Sequence, residues 1–74
     1  MTLRDGKPGM TVRIEKIGDS ELKERLMTMG FIPGTKVQVL RPAPMGDPMA
    51  FGIRGYNVAM RLQDAEHIEV TQVQ

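Results

Sequence analysis

The chain has no cysteine among its 74 residues, and that absence limits its folding options more than any motif does. A single domain of this size buries only about 60% of the surface its unfolded chain exposes. Neither a disulfide nor a thiolate-bound metal can supplement so thin a core. What remains is a sheet bent back on itself, or a partner. On length alone, residues 1–74 read as one domain.

The hydrophobic pattern favours a bent sheet. "MTVRIEKI" alternates Met10, Val12 and Ile14 with Thr11, Arg13 and Glu15, the period of a half-buried strand. Ile17 breaks that phase, so the strand is expected to bend or bulge before "GDS". "TKVQVLR" alternates through Val37 and Val39, "MAFGI" through Met49, Phe51 and Ile53, and "YNVAMR" through Tyr56, Val58 and Met60. "HIEVTQV" supplies a last strand through Ile68 and Val70. Two strands are entered alike, by "PGMTV" and "PGTKV". In both, proline presets the first turn position and glycine supplies the positive φ of a type II turn. Gly55 falls between two strand runs, where a tight hairpin turn belongs.

One segment has helical spacing. In "SELKERLMTMG", Leu22, Leu26 and Met29 make a narrow apolar stripe, and Asp19 or Ser20 can cap its start. Gly30 stands where a left-handed residue ends a helix, with Phe31 placed to pack back on Leu26 and Pro33 forbidding continuation. Such a helix is too short to persist alone and must dock on the sheet. The fold expected is therefore mainly β. It is a small five-stranded barrel with one inserted α-helix over about residues 20–29 and a short helical turn near 62–66. Closure of that barrel is expected to remove exposed sheet edges.

Charge and chemistry exclude more than they assign. Ten Lys and Arg against nine Asp and Glu leave a formal net charge of +1, with only three aromatic residues. That balance, without a stacking platform, argues against a nucleic-acid partner. No apolar run is long enough to span a membrane, and "MTLRDGKPG" lacks a secretory hydrophobic segment, so a cytoplasmic protein is expected. Seven methionines are unusual at this length. They fit either an irregular core or a partner surface. One histidine, no cysteine and no phosphate-binding glycine motif leave nothing for a nucleophilic enzyme or an NTPase, so no catalytic residue is expected. "DAEHIE" gathers Asp64, Glu66 and His67, a candidate weak iron(II) site against the plainer reading of an ordinary surface histidine. No other cofactor is indicated.

The most unusual stretch is "RPAPMGDPMAFGIRG", Arg41 to Gly55. Arg41 and Arg54 are expected to flank its loop as the two strands converge, either as solvated strand ends or as a polar rim around the apolar tip Pro44, Met45 and Pro48. Pro44, Gly46, Asp47 and Pro48 are turn formers, and Asp47 can accept from a nearby backbone amide. A stiff tip presents Met45 at little entropic cost. Arg41, Pro44, Met45, Asp47, Arg54 and Tyr56 are accordingly the candidate partner-binding residues.

"LMTMGFIPGTKVQVLRPAPMGDPMAFGIRGYNVAMRLQDAEHIEV" resembles the ferrous-iron transport protein A family, FeoA, through "L..MG", "PGT.V.V", "AP.GDP", "RG", "VA.R" and "A..I.V" in order. The likeness covers residues 8–70. It implies an SH3-like barrel and a non-enzymatic cytoplasmic accessory, held at the inner membrane by a large ferrous-iron permease with a cytosolic GTP-binding domain. Modulation of that GTPase through Arg41 or Arg54, or a stand-alone metal-sensing module, are the alternatives; the oligomeric state stays open. Against the family pattern, Gly6 replaces an apolar residue, which suggests looser N-terminal packing. Gly52 suggests a bulge. Met60 stands for a leucine, a swap of similar volume.

Overall fold

The computed structural model describes residues 1–42 and 44–73; Ala43, the alanine of the "AP.GDP" series, and Gln74 lie outside them. A 3-10 turn over Leu3–Asp5 precedes strand β1 (Thr11–Ile17), helix α1 (Lys23–Thr28) and strands β2 (Lys36–Pro42), β3 (Met49–Ile53) and β4 (Tyr56–Met60). Helix α2 (Leu62–Ala65) and strand β5 (Ile68–Val73) complete the chain. The strands form one antiparallel sheet in the order β4-β3-β2-β1-β5. The alternation sets which face is covered: Val12, Ile14, Val37, Val39, Phe51 and Ile53 are all buried.

The two Pro-Gly entries are related more closely than their shared letters suggest. Gly9 and Gly34 have φ of 94° and 93°, and Met10 N–H and Thr35 N–H each donate across their turn, to Lys7 and Ile32 carbonyls at 3.0 Å. Each turn then bonds to the opposite strand. Gly9 N–H donates to the Val39 carbonyl (2.9 Å) and Val39 N–H to Met10 (2.8 Å). Gly34 N–H donates to Ile14 (2.7 Å) and Ile14 N–H to Thr35 (2.9 Å). The register pairs Thr11 with Gln38, Val12 with Val37 and Arg13 with Lys36, so a local two-fold axis passes through the valine pair. The sequence echo is thus a symmetric pairing of β1 and β2.

Helix α1 ends as expected but starts later than expected, at Lys23, and is shorter than its apolar stripe. Neither Asp19 nor Ser20 caps the helix itself, whose N-cap position is Leu22; Ser20 Oγ accepts from Leu22 N–H at 3.2 Å in the turn before it. Asp19 instead pairs with Lys23 at 3.5 Å. At the exit, Gly30 has φ 106°. Gly30 N–H donates to Met27 and Phe31 N–H to Leu26, both at 3.0 Å, the paired bonds of a Schellman cap. Leu26 and Phe31 are buried in the common core, and Leu22 and Met29 pack at its margin.

Two local expectations are corrected and a third holds. The N-terminal segment packs tightly: Leu3 is fully buried, and a Cβ at Gly6 would lie 2.8 Å from Val39 Cγ2. The absent side chain is therefore what lets the 3-10 turn sit on β2. The second bulge is not at Gly52, which pairs regularly with Gln38; the register shifts between Val39 and Arg41, leaving Leu40 as the extra residue. The first bulge lies at Glu15, between Ile14 and Lys16, consistent with the phase break at Ile17.

Closure also differs in kind. Among the described residues no ladder joins β4 to β5; α2 carries the chain between them, with Ala65 fully buried. The outer edge of β5 is covered by the N-terminal segment, through a Thr2–Glu69 bridge and a Val70 N–H bond to the Met1 carbonyl at 2.9 Å. Among the described residues the outer edge of β4 has no such cover, so bending the sheet hides one edge and not both.

Candidate docking surface

The β2–β3 loop carries the most exposed large apolar side chain of the described residues, Met45 at 92%. Pro44 beside it is exposed, as is Arg41 at the end of β2, opposite Ala50. Gly46 turns the chain with φ 90°, and the Asp47–Pro48 peptide is cis. Asp47 does not fold back on a neighbouring amide as expected. Its Oδ1 accepts from Leu62 N–H at 3.0 Å, the first amide of α2. A loop fifteen residues away in sequence therefore caps this helical turn and is pinned by it. That converts Asp47 from a surface contact into the anchor of the tip.

Arg54 and Tyr56 lie elsewhere. They belong to the β3–β4 turn, in which Arg54 (φ 51°) and Gly55 (φ 89°) both take the left-handed conformation of a two-residue hairpin. Arg54 lies four positions along the chain from Ala50, the partner of Arg41, a rise of about 13 Å. The two arginines do not share one rim, and that expectation is corrected. Tyr56, expected on the covered face with Val58 and Met60, is 46% exposed. Its hydroxyl donates to the Met29 carbonyl at the end of α1. A Cβ at Gly30 would meet Tyr56 Oη at 3.2 Å and Arg54 Cδ at 3.4 Å. Arg54 and Tyr56 thus form a latch that holds the exit of α1 against the hairpin. Positive φ at a bulky residue has no clear signature in sequence, so this role of Arg54 was not legible.

The candidate metal residues are not brought together. Glu66 is paired with Arg4 of the N-terminal turn. His67 is exposed at the start of β5, its N–H donating to the Asp64 carbonyl at 3.2 Å. Asp64 is half-buried beside Arg25 and Arg61. Among the described residues no three acidic or histidine side chains converge on a point that could hold an ion, so Asp64, Glu66 and His67 do not meet as one ligand set.

Two depressions flank β4. A shallow trough of about 490 Å³ crosses the outer face of the sheet, with Lys36, Gln38, Arg54 and Asn57 around it and Gly52 in its lining. A cleft of about 140 Å³ lies between α1 and the end of β4, lined by Leu26, Met29 and Met60 with Arg25, Arg61 and Asp64.

With this geometry in place, comparison with known proteins is decisive for family. The FeoA domain matches residues 1–72. The chain belongs to the FeoA family. It is 38% identical over 68 residues to a fusion protein of Porphyromonas gingivalis named Fe(2+) transport protein A/Fe(2+) transporter FeoB, covering 92% of this chain and 8% of that one. The solution structure of iron(II) transport protein A from Clostridium thermocellum superposes with a TM-score of 0.92 at 39% identity, over 99% of this chain and 46% of that one. The zinc complex of Stenotrophomonas maltophilia FeoA, described as an SH3 domain protein, superposes at 0.86 with 24% identity, over 96% and 89% of the two chains. The fold is accordingly SH3-like, and the family is one associated with ferrous-iron transport. The chain spans under a tenth of the P. gingivalis protein and about half of the C. thermocellum chain. No described helix is long and apolar enough to cross a membrane.

Proposed function

We propose that this FeoA-family chain is a non-catalytic docking module of ferrous-iron uptake, which binds a FeoB-type transporter and works at the cytosolic face of the inner membrane through that contact. The observation that carries this reading is the P. gingivalis relative, in which a segment 38% identical to this chain is joined to a FeoB transporter in one polypeptide. Covalent linkage holds two parts at high effective concentration, which benefits parts that associate. The tip supports the reading physically. Met45 projects from a loop tied down by Asp47, so a partner can bury it without first ordering the loop.

Two measurements test the proposal. The purified chain is expected to retain a detergent-solubilised FeoB-type transporter in a pull-down, and cells lacking the chain are expected to take up iron(II) more slowly. Unchanged uptake together with no retention would overturn it. A docking module without an arginine finger also leaves the transporter's GTPase rate within a few-fold, far from the roughly 10³- to 10⁵-fold that such a finger supplies.

A further inference from the structure

Strand β4, "YNVAM", is an edge of the sheet in which none of the usual protections operates. It contains no lysine, no proline and no other charged residue, its register with β3 is regular from Met49–Met60 to Ile53–Tyr56, and nothing pairs with its outer side among the described residues. Edges are normally blunted by charge, proline, bulges or a covering segment. The same chain covers its other edge, β5, with Met1 and Thr2. The two-residue turn at Arg54–Gly55 fixes which groups are free. Ile53 and Tyr56 close the hairpin as a hydrogen-bonded pair, so Asn57 and Ala59 direct their N–H and C=O groups away from β3. Both residues are exposed.

We infer that this edge receives, as a sixth strand, an extended acidic segment of a partner protein. The inference rests on the docking reading above and names a surface for it other than the Met45 tip. Main-chain pairing supplies such strand additions with affinity, and alternate side chains supply specificity. Here one alternating set faces the cleft floored by Leu26 and Met60, and the other faces the trough. Charge selects the occupant. Lys36 and Arg54 border the trough, which no acid lines; Arg25 and Arg61 border the cleft, against Asp64 alone. None of these four cations is engaged in an ion pair among the described residues. The same charges disfavour a second copy. Antiparallel pairing of two β4 strands about Val58 sets Arg61 of each copy opposite the other copy's Gly55, next to its Arg54, so the edge cations of both copies gather at the ends of the pair, where like charges repel.

The test uses two blocked synthetic octapeptides, one alternating Glu and Val and the other Lys and Val. Amide exchange is followed by NMR on the isotope-labelled full chain. The Glu-Val peptide is expected to slow exchange at Asn57 and Ala59 selectively, and the Lys-Val peptide to leave both unchanged. Ala59→Pro removes one edge donor without touching the β3 ladder and should weaken Glu-Val binding at least about tenfold. Arg61→Glu, which leaves the backbone intact, should weaken it as well and guards against a folding defect in the proline variant. Fast exchange at both amides with either peptide overturns the inference. So does equal protection by both peptides, or a concentration-dependent dimer that Ala59→Pro dissociates. Transporter retention that survives Ala59→Pro, with no peptide protection, removes this edge and leaves the docking reading standing. Protection by the Glu-Val peptide without transporter retention does the reverse.

Discussion

Replacing Asp47 by alanine isolates the contact that turns a flexible loop into a fixed tip. The Oδ1–Leu62 N–H bond of 3.0 Å is the side-chain cap of α2, and losing a capping oxygen costs about 1 kcal/mol, within a range of roughly 0.5–2. For a domain of this size that corresponds to a melting point lower by roughly 4–8 °C. At a urea slope of about 1 kcal/mol/M, the unfolding midpoint should fall by about 1 M with the slope unchanged. Asp47→Asn retains a carbonyl acceptor in the same place and should recover most of the loss. Urea unfolding of the wild type and both variants, followed by circular dichroism, reads the effect directly. Alanine and wild-type midpoints that coincide would refute the claim that this bond anchors the loop. An asparagine variant as weak as alanine would show instead that the carboxylate charge carries the effect.

Three further outcomes follow from contacts already described. Gly6→Ala places a methyl 2.8 Å from Val39 Cγ2 and should cost about 1–3 kcal/mol through overpacking, measured by the same unfolding curves. Tyr56→Phe removes the hydroxyl that donates to the Met29 carbonyl. It should cost about 0.5–1.5 kcal/mol and speed amide exchange at the exit of α1 while leaving β1 and β2 unchanged. Under mild peroxide, Met45 at 92% exposure should become sulfoxide well before Met49 and Met60, at 6% and 5%; peptide mass mapping gives the order, and early oxidation of Met49 or Met60 would contradict the burial described.

Legibility followed the range of the interaction that fixes each element. The strands, the Pro-Gly turns and the Gly30 cap are set by residues within a few positions of one another, so alternation and turn chemistry were enough to place them. Helix α1 is shorter than its stripe because Ser20 and the turn after it hold the first residues out of the helix. Leu3, Gly6 and Asp47 were misjudged or missed because their partners are distant in sequence: Val39 for Gly6 and Leu62 for Asp47. A glycine that permits close approach looks the same in sequence as one that merely loosens a loop. The candidate docking residues separated for the same reason. Arg41 and Arg54 both border the Pro- and Gly-rich stretch, yet β3 intervenes and carries them to opposite ends of one hairpin. The metal candidates were close in sequence only; an ion pair with Arg4 draws Glu66 away from the others.

In the docking reading, a rigid, projecting methionine tip meets the transporter. A photo-crosslinking amino acid at position 45, introduced in cells that contain the FeoB-type transporter, tests it most directly against the same probe at exposed Glu24 on α1. A transporter adduct is expected from position 45, diminished by Asp47→Ala, with little from position 24. Adducts absent at 45, or equally abundant at both positions, would contradict it.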